Sequence, residues 1–244
     1  RSEDPGLGGS NLAPLQVTEN AIRDQAEHHT ANITVEPNWN AKTKTLEARV
    51  SVDNLAGHKF PSGVGFRRAF LEFSVLDAKG ETLWISGATD EMGVLVDAKG
   101  NALPGEFWWQ RDCSARLPNA WQPHYQEITK PGQVQIYQEL ITDAKGLLTT
   151  SFLGINQHVK ENRLQPHGFL QERERVAIAA AFGDTTPEPK PGEFAMDENL
   201  GRAMGPEGDA EHDPDYANGS GIDRLTYRIE GLRREHASVR ARLF

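Results

Sequence analysis

The chain of 244 residues carries a formal net charge of −9, and 37% of its residues are hydrophobic. This length allows one large β domain or two small ones. The acidic balance argues against a nucleic-acid-binding surface, and no apolar run approaches the length of a membrane span. The single cysteine, Cys113, excludes an internal disulfide and is predicted to be a small buried residue. Without a CxxC or CxxCH motif, the chain has no thiolate zinc knuckle and no covalently bound c-type haem.

The first 30 residues predict an arm followed by a short helix. Residues 1–16 are rich in Gly, Pro and Ser, as linkers are. Thr18 and Asn20 offer N-cap chemistry, and the helix is expected to end near His28. The chain begins at Arg1 without Met, so we expect that processing removed a leader or that a longer polypeptide precedes it.

Residues 31–244 show the patterns of a β domain. Residues 46–53 and 69–76 alternate apolar and polar side chains, as strands with one buried face do. Three Asp-Ala-Lys-Gly sequences lie between short β runs at hairpin spacing. Further strands are predicted at Val134–Leu140, Val176–Phe182, Thr226–Ile229 and Val239–Phe244, and a hairpin turn at residues 38–40. Together these patterns predict a mainly β fold, an Ig-like antiparallel β-sandwich of about seven to nine strands with long irregular loops.

Two long irregular segments interrupt the predicted strands. Residues 104–131 hold three tryptophans and several prolines. We interpret them as an aromatic flap that closes one end of the sandwich or that binds a partner. Residues 183–222 are rich in Pro, Gly, Asp and Glu. Because hard oxygen ligands suit Ca²⁺, we predict a calcium site in or beside this acidic loop, although a solvated loop remains the alternative and no EF-hand pattern is present. Its predicted ligands are Asp209, Asp213, Asp215 and Asp223.

The loop between the first two alternating runs is the strongest candidate for binding. Glycines and a proline constrain its backbone, and it carries His58 and Lys59, with Arg67 and Arg68 at its end. Arg67 and Arg68 lie on opposite faces of a strand, so at most one can share a ligand with His58. A copper or zinc site with the other histidines has no supporting HxH or HxxxH spacing. Those histidines are His124, His158 and His167.

Three stretches of the sequence resemble a known family. The stretches are GHKFPSGVGFRRAFLEF, WQPHYQEITKPGQVQIYQEL and HVKENRLQPHGF. In their order and in their residues they resemble the non-haem C-terminal region of certain bacterial multihaem c-type cytochromes. The stretch from Asp213 to Ile229 resembles a fourth element of that region. In that family the haem-binding motifs lie upstream, and this chain has none of them. The resemblance therefore implies an electron-transfer context and an exported protein, in the periplasm or outside the cell.

The resemblance implies a structural or docking domain beside a haem-bearing segment or subunit. His58 could then be an axial ligand to a haem c held by that partner, and the alternative is a hydrogen-bonded loop residue that pins the hairpin. Arg67 or Arg68 would pair with a haem propionate or with a local carboxylate. The sequence leaves the oligomeric state open.

The alternative function is a stand-alone exported metal-binding or hydrolytic module. No GxSxG, HExxH or glycine-rich phosphate loop is present. Glu127 and Glu139 could serve as an acid and a base, but the sequence does not bring them together. The absence of a catalytic signature favours a protein that is not an enzyme.

Overall fold

The computed structural model describes residues 13–63, 66–183, 205–232 and 238–244. Residues 1–12 of the predicted arm and residues 184–204 of the predicted acidic loop lie outside these ranges. The strands are β1 (Ala31–Asn40), β2 (Thr45–Asn54), β3 (Arg68–Leu76), β4 (Thr82–Ser86), β5 (Glu127–Ile128), β6 (Ile136–Thr142), β7 (Leu148–Thr149), β8 (Gln157–Glu161), β9 (Ile222–Ile229) and β10 (Ser238–Leu243). The helices are α1 (Pro14–His28), α2 (Glu172–Gly183) and α3 (Pro214–Ala217), with 3₁₀ turns at Phe152–Gly154 and Gly208–His212. Within the described ranges, no helix combines the length and the apolar character needed to cross a membrane.

The strands form two sheets. The first has the order β1-β2-β9-β5, in which only β5 runs parallel to its neighbour. The second has the order β10-β3-β6-β7, with β4 paired to β3 and β8 paired to β6. The mainly β class and the short N-terminal helix are thus confirmed.

The apolar core lies between the two sheets. Alternate residues of β2, from Leu46 to Val52, are fully buried, and so are Leu71, Phe73 and Val75 of β3. The ring of Phe73 stacks on that of Tyr227 from β9, with centroids 4.1 Å apart. One cluster therefore holds the inner faces of both sheets together, as in a sandwich.

The three predicted Asp-Ala-Lys-Gly turns are confirmed. In the first, the side chain of Asp77 accepts a hydrogen bond of 2.8 Å from the backbone N–H of Lys79, and Gly80 has a φ of +81°. The turns that begin at Asp97 and Asp143 repeat both features. In each turn the aspartate carboxylate accepts a backbone N–H, and the glycine adopts the positive φ that the tight turn requires.

The segment predicted as a strand at Val176–Phe182 is instead part of helix α2. The strand prediction relied on its apolar character, but four of its seven residues are alanines, which have the highest helix propensity. Glu172 and Glu174 lie in the first turn of the helix, where carboxylates stabilise the helix dipole.

Two predicted boundaries were also wrong. Helix α1 begins at Pro14 rather than near Thr18, because proline at the first helical position needs no hydrogen-bond acceptor for a backbone N–H. The turn between β1 and β2 lies after Asn40, not at residues 38–40. The side-chain oxygen of Asn40 accepts N–H bonds from Lys42 and Thr43, while Trp39 still pairs within the sheet.

The aromatic flap leaves three of its rings on the surface, those of Phe107, Trp109 and Trp121. Trp109 and Trp121 are 48% and 37% exposed, and the guanidinium of Arg116 lies 5.5 Å from the ring centroid of Trp109. Cys113 is exposed rather than buried, because it occupies a turn with a φ of +58°. The buried part of the flap is its C-terminal end, around His124.

Candidate functional site

The loop of residues 55–67, here called the His58 loop, is tied to a neighbouring segment by hydrogen bonds. The buried side-chain amide nitrogen of Asn54 lies 2.9 Å from the carbonyl oxygen of His58 and 3.1 Å from that of Leu164. The backbones of Phe60 and Leu164 exchange two hydrogen bonds, of 2.9 and 2.8 Å. These bonds hold residues 54–60 against the chain that follows β8.

The imidazole of His58 is exposed and oriented by its own loop. Its Nδ1 lies 2.9 Å from the carbonyl oxygen of Lys59. Because a carbonyl oxygen can only accept a hydrogen bond, Nδ1 carries the proton and Nε2 presents a bare lone pair. A backbone carbonyl that accepts from one ring nitrogen is the usual support for a histidine that binds a metal through the other.

A partly buried ion pair lies beneath the loop. Lys59 Nζ lies 3.2 Å from Oε2 of Glu161, and that same oxygen accepts a 3.0 Å bond from Arg163 Nε. Burial lowers the pKa of Lys59, and the charge of Glu161 opposes that effect only in part. Burial alone would raise the pKa of Glu161, but the hydrogen bonds from Arg163 and the charge of Lys59 outweigh it and hold the pKa below its ordinary value. Glu161 therefore pairs with both cations, Lys59 and Arg163.

The two adjacent arginines have different surroundings. Arg68 is half-buried, and its two terminal nitrogens lie 2.5 and 2.8 Å from the carboxylate oxygens of Glu106. Glu106 is therefore the local carboxylate that was considered above as a partner for Arg68, and it binds the guanidinium in a bidentate pair. Arg67 is exposed and donates to the carbonyl oxygen of Ser62 at 3.2 Å. Within the described residues, Arg67 forms no ion pair.

A second candidate site is buried between the sheets. His124 Nε2 lies 2.9 Å from Asp213 Oδ2 and 3.8 Å from Asp223 Oδ1. All three side chains are almost completely buried, and their donor atoms lie within 4.8 Å of one another. Such a group of one histidine and two carboxylates could hold a metal ion or a network of protons.

Two amide side chains decide which nitrogen of His124 carries the proton. The oxygen of Gln135 accepts the backbone N–H of Tyr125 at 2.8 Å, and that of Asn162 accepts the N–H of Gln138 at 3.0 Å. Both amide NH₂ groups therefore face His124 Nδ1, at 2.8 and 3.2 Å. Nδ1 must accept, so the ring proton lies on Nε2, the nitrogen nearer the two carboxylates.

The two carboxylates differ in their pKa. Burial would raise the pKa of Asp213, but the hydrogen bonds from His124 and from the backbone N–H of Asp215 outweigh it, and the pKa is lowered. Burial raises the pKa of Asp223. One oxygen of Asp223 accepts a 2.7 Å bond from the hydroxyl of Tyr137, while its other oxygen has no hydrogen-bond partner in the described chain.

This hydrogen bonding does not suit a metal ion on His124. Coordination through Nε2 would move the ring proton to Nδ1, where it would meet the two amide N–H groups. The cluster is therefore better described as a hydrogen-bonded core than as an ion site.

The four predicted calcium ligands are not gathered in one place. Two of them join the His124 cluster. Asp209 is exposed on a 3₁₀ turn, and Asp215 bonds to the side chain and backbone N–H of Arg224. The calcium site stays a prediction. Its residues are Asp209, Asp213, Asp215 and Asp223.

The remaining histidines do not join His58 in a cluster within the described residues. His167 Nε2 lies 2.5 Å from Asp53, and His158 lies 3.3 Å from Glu139. Glu127, posed above as a catalytic partner of Glu139, belongs to the other sheet. The structure thus supplies no arrangement for the acid–base pair.

Lys160 is a buried residue that the sequence did not single out. Its Nζ donates to the carbonyl oxygens of Gln122 and Ile136, each at 2.9 Å. Burial lowers its pKa to about 7, an effect that the charge of Asp209 only partly offsets. No alternation marks it, because the burial of β8 does not alternate and its neighbour Glu161 is buried as well.

The stretches that carry the family resemblance converge in space. The His58 loop bonds to residues 158–169, and residues 123–140 contribute His124 and Gln135 to the buried cluster. The fourth stretch supplies Asp213 and Asp223 to the same cluster. Segments far apart in sequence therefore form one continuous framework that positions the exposed His58.

The chain matches no protein-family model, and no curated protein matches it. It is similar to one solved structure, the crystal structure of a penta-heme cytochrome c552 from Thermochromatium tepidum, with 16% sequence identity and a TM-score of 0.39. The match covers 86% of this chain and 31% of that chain, so this chain spans less than a third of that protein. A likeness at this level does not establish a common fold or function.

Proposed function

We propose that this chain is a docking domain of an exported multihaem c-type cytochrome complex, and that His58 is an axial ligand to a haem of the partner. The single observation that carries the proposal is the orientation of His58. Its Nδ1–H is held by the carbonyl oxygen of Lys59, so an exposed Nε2 lone pair is available to iron. The resemblance of the three sequence stretches supports the haem-bearing partner.

In this proposal the chain itself carries out no redox step. When bound, the haem of the partner supplies the redox chemistry. His58 would complete the iron coordination and thereby influence its spin state and reduction potential. The hydrogen bonds from Asn54 to the carbonyl oxygens of His58 and Leu164 fix the backbone at His58 before docking. This reduces the entropy lost on binding.

The alternative of a metal-binding or hydrolytic module has less support. It would have to use His124, whose hydrogen bonds keep the proton on the nitrogen nearest the carboxylates. That side chain is also buried, so a substrate could not reach it. No further observation favours this second function.

A haem c peptide with its own proximal histidine and an open sixth position tests the proposal. Titrating it with the full chain should convert high-spin to low-spin iron, because a second imidazole raises the ligand field. His58→Ala should abolish the conversion, while His28→Ala, which removes an exposed imidazole from α1, should leave it intact. Low-spin conversion that survives in His58→Ala, or that never occurs with the unmodified chain, would contradict the proposal.

A further inference from the structure

A cavity of about 510 Å³ opens between the end of β2 and the segment 166–170. Its volume falls in the range of small-molecule sites. Two of its lining side chains, Leu55 and Leu170, are 47% and 43% exposed although they are apolar. The other apolar lining residues are Ala56, Pro166 and Phe169. Exposed apolar side chains around a concave surface are typical of ligand-binding grooves, and a ligand of this cavity would itself be largely apolar.

Polar side chains of the cavity wall are Asn54, His167 and Arg175. The amide of Asn54 is used by the backbone around it. Its oxygen accepts the N–H of Ala56 at 2.9 Å, and its nitrogen donates to three carbonyl oxygens. The guanidinium of Arg175 donates to the carbonyl oxygen of Leu170 at 2.6 Å. Both groups therefore stabilise the wall itself.

The imidazole of His167 is supported by a carboxylate and keeps one nitrogen available. Its Nε2 lies 2.5 Å from Oδ1 of Asp53, which is the residue before Asn54 at the end of β2. Because a carboxylate can only accept a hydrogen bond, the ring proton lies on Nε2 and Nδ1 presents a lone pair. Within the described ranges nothing bonds to Nδ1, and the side chain is 54% exposed. The residue thus offers a hydrogen-bond acceptor at the edge of an apolar cavity.

Two glycines fix His167 in this position. Gly221 has a φ of +73°, and a Cβ there would lie 2.8 Å from the backbone nitrogen of His167 and 3.0 Å from its ring carbon Cδ2. The carbonyl oxygen of Gly219 accepts the N–H of Gly168 at 2.9 Å. Only glycine at position 221 allows so close an approach at this backbone angle. The imidazole is therefore ordered before a ligand binds, which reduces the entropy lost on binding.

We infer that this cavity binds a neutral aromatic compound that carries a hydroxyl group, that is, a phenol. The apolar wall covers the aromatic ring, and the hydroxyl donates its hydrogen bond to Nδ1 of His167. A phenol suits the wall better than an aliphatic alcohol, because its ring can stack on that of Phe169. A carboxylate is disfavoured, since it would bring a second negative charge close to Asp53. The inference does not depend on a haem at His58.

The probes 2-naphthol and 2-methoxynaphthalene test the site, because they share a ring system and differ in the hydroxyl donor. Their fluorescence is followed in titrations with the full chain at about pH 8, above the ordinary titration range of imidazoles. We expect 2-naphthol to bind about three- to tenfold more tightly, the effect of one hydrogen bond. His167→Phe should remove this preference and leave the binding of the ether unchanged. His28→Phe, which replaces an exposed imidazole of α1, should keep the preference.

A second pair of variants tests the cavity apart from the hydrogen bond. Ala56→Trp fills the cavity and should weaken the binding of both probes at least about tenfold. Ala98→Trp adds the same ring to an exposed turn and should weaken neither. The melting temperature of each variant shows whether it is folded. Leu170→Gln and His167→Leu replace Ala56→Trp and His167→Phe if those variants are not.

Each outcome decides one part of the inference. Binding that Ala56→Trp weakens, with a preference for the hydroxyl that His167→Phe removes, supports the whole site. If 2-naphthol does not bind, or binds equally well to the cavity variants, the cavity is not its site. Equal affinity for the two probes, or a preference that persists in His167→Phe, overturns the hydrogen bond to His167.

Discussion

Lys160 is the residue at which burial and charge conflict most directly. Its ammonium group is enclosed by protein and bonded to two backbone carbonyls, and in the part of the chain that the structure describes it forms no ion pair. Two neutral acceptors compensate only part of the lost hydration of a charge. The folded protein therefore holds this proton less tightly than the unfolded chain does.

This conflict predicts a dependence of stability on pH. Burial lowers the pKa of Lys160 to about 7 in the folded protein, against an ordinary lysine value of 10.5. Between these values the unfolded chain binds a proton that the folded protein has released, so the free energy of unfolding rises with pH. The contribution approaches about 1.4 kcal/mol per pH unit for one proton. It should be visible in urea unfolding between about pH 7 and about pH 9.5, below the range in which tyrosines ionise.

The comparison with Lys160→Met isolates this contribution. Methionine is similar in length and uncharged. As pH rises, the free energy of unfolding of the unmodified protein should therefore increase relative to that of the variant. Lys145→Met removes an exposed lysine from a turn and should show no such shift. Parallel pH profiles for the unmodified protein and Lys160→Met would mean that the amine keeps its ordinary pKa.

The residues of the two candidate sites differ in how far the sequence could predict them. His58 could be singled out because glycines and a proline surround it within a few positions. The buried cluster could not, because His124 and its partner Asp213 are separated by 89 positions. No local sequence pattern marks a histidine that accepts hydrogen bonds at one ring nitrogen and faces carboxylates with the other. Only the family resemblance placed His124, Asn162 and Asp223 in related stretches.

At the scale of elements, period-two alternation and turn chemistry predicted most of the sandwich. Strands β2 and β3 and all three Asp-Ala-Lys-Gly turns were predicted from local rules. Helix α2 was not, because a short apolar run has no period that separates a strand from a helix. The pairing of β9 with β2 also joins residues that are distant in sequence. Which strands become neighbours is set by how their apolar faces pack, and no local pattern encodes it.

Two glycines with similar backbone angles predict different costs of substitution. Gly80 and Gly87 have φ values of +81° and +79°. A Cβ on Gly80 would meet nothing within 4 Å, whereas a Cβ on Gly87 would lie 2.2 Å from the carbonyl oxygen of Leu71 in β3. Gly80→Ala should therefore cost about 1 to 2 kcal/mol from the backbone angle alone. Gly87→Ala should cost about 2 to 5 kcal/mol, because β4 must also move away from β3.

Urea unfolding of both variants measures the difference. Gly80→Ala serves as the matched control, since it shares the backbone angle and lacks the contact. Equal losses for the two variants would show that the end of β4 moves freely enough to admit the extra carbon.

At the scale of the whole molecule, one carboxylate links the two sheets. Asp223 belongs to β9 in the first sheet. Its Oδ2 accepts hydrogen bonds from Gln135 at 2.9 Å and from Tyr137 at 2.7 Å, which lie just before and within β6 of the second sheet, respectively. The apolar core beside it is joined by the stacked rings of Phe73 and Tyr227. The sandwich is thus held by both a directional polar link and non-directional apolar packing.

Two buried tyrosines near this link provide the last prediction. The hydroxyl of Tyr137 donates to Asp223, whereas that of Tyr227 has no hydrogen-bond partner among the described residues. Tyr137→Phe should lower the free energy of unfolding by about 1 to 3 kcal/mol, because the buried carboxylate loses a donor. Tyr227→Phe keeps the stacked ring and removes an unpaired polar group, so it should leave stability unchanged or raise it by about 1 kcal/mol.

The pair is its own control, since each variant removes one oxygen atom from a fully buried ring. Urea unfolding at pH 7 compares them, and near-ultraviolet circular dichroism checks that both cores remain packed. If Tyr227→Phe proves as destabilising as Tyr137→Phe, the hydroxyl of Tyr227 must be hydrogen-bonded in solution.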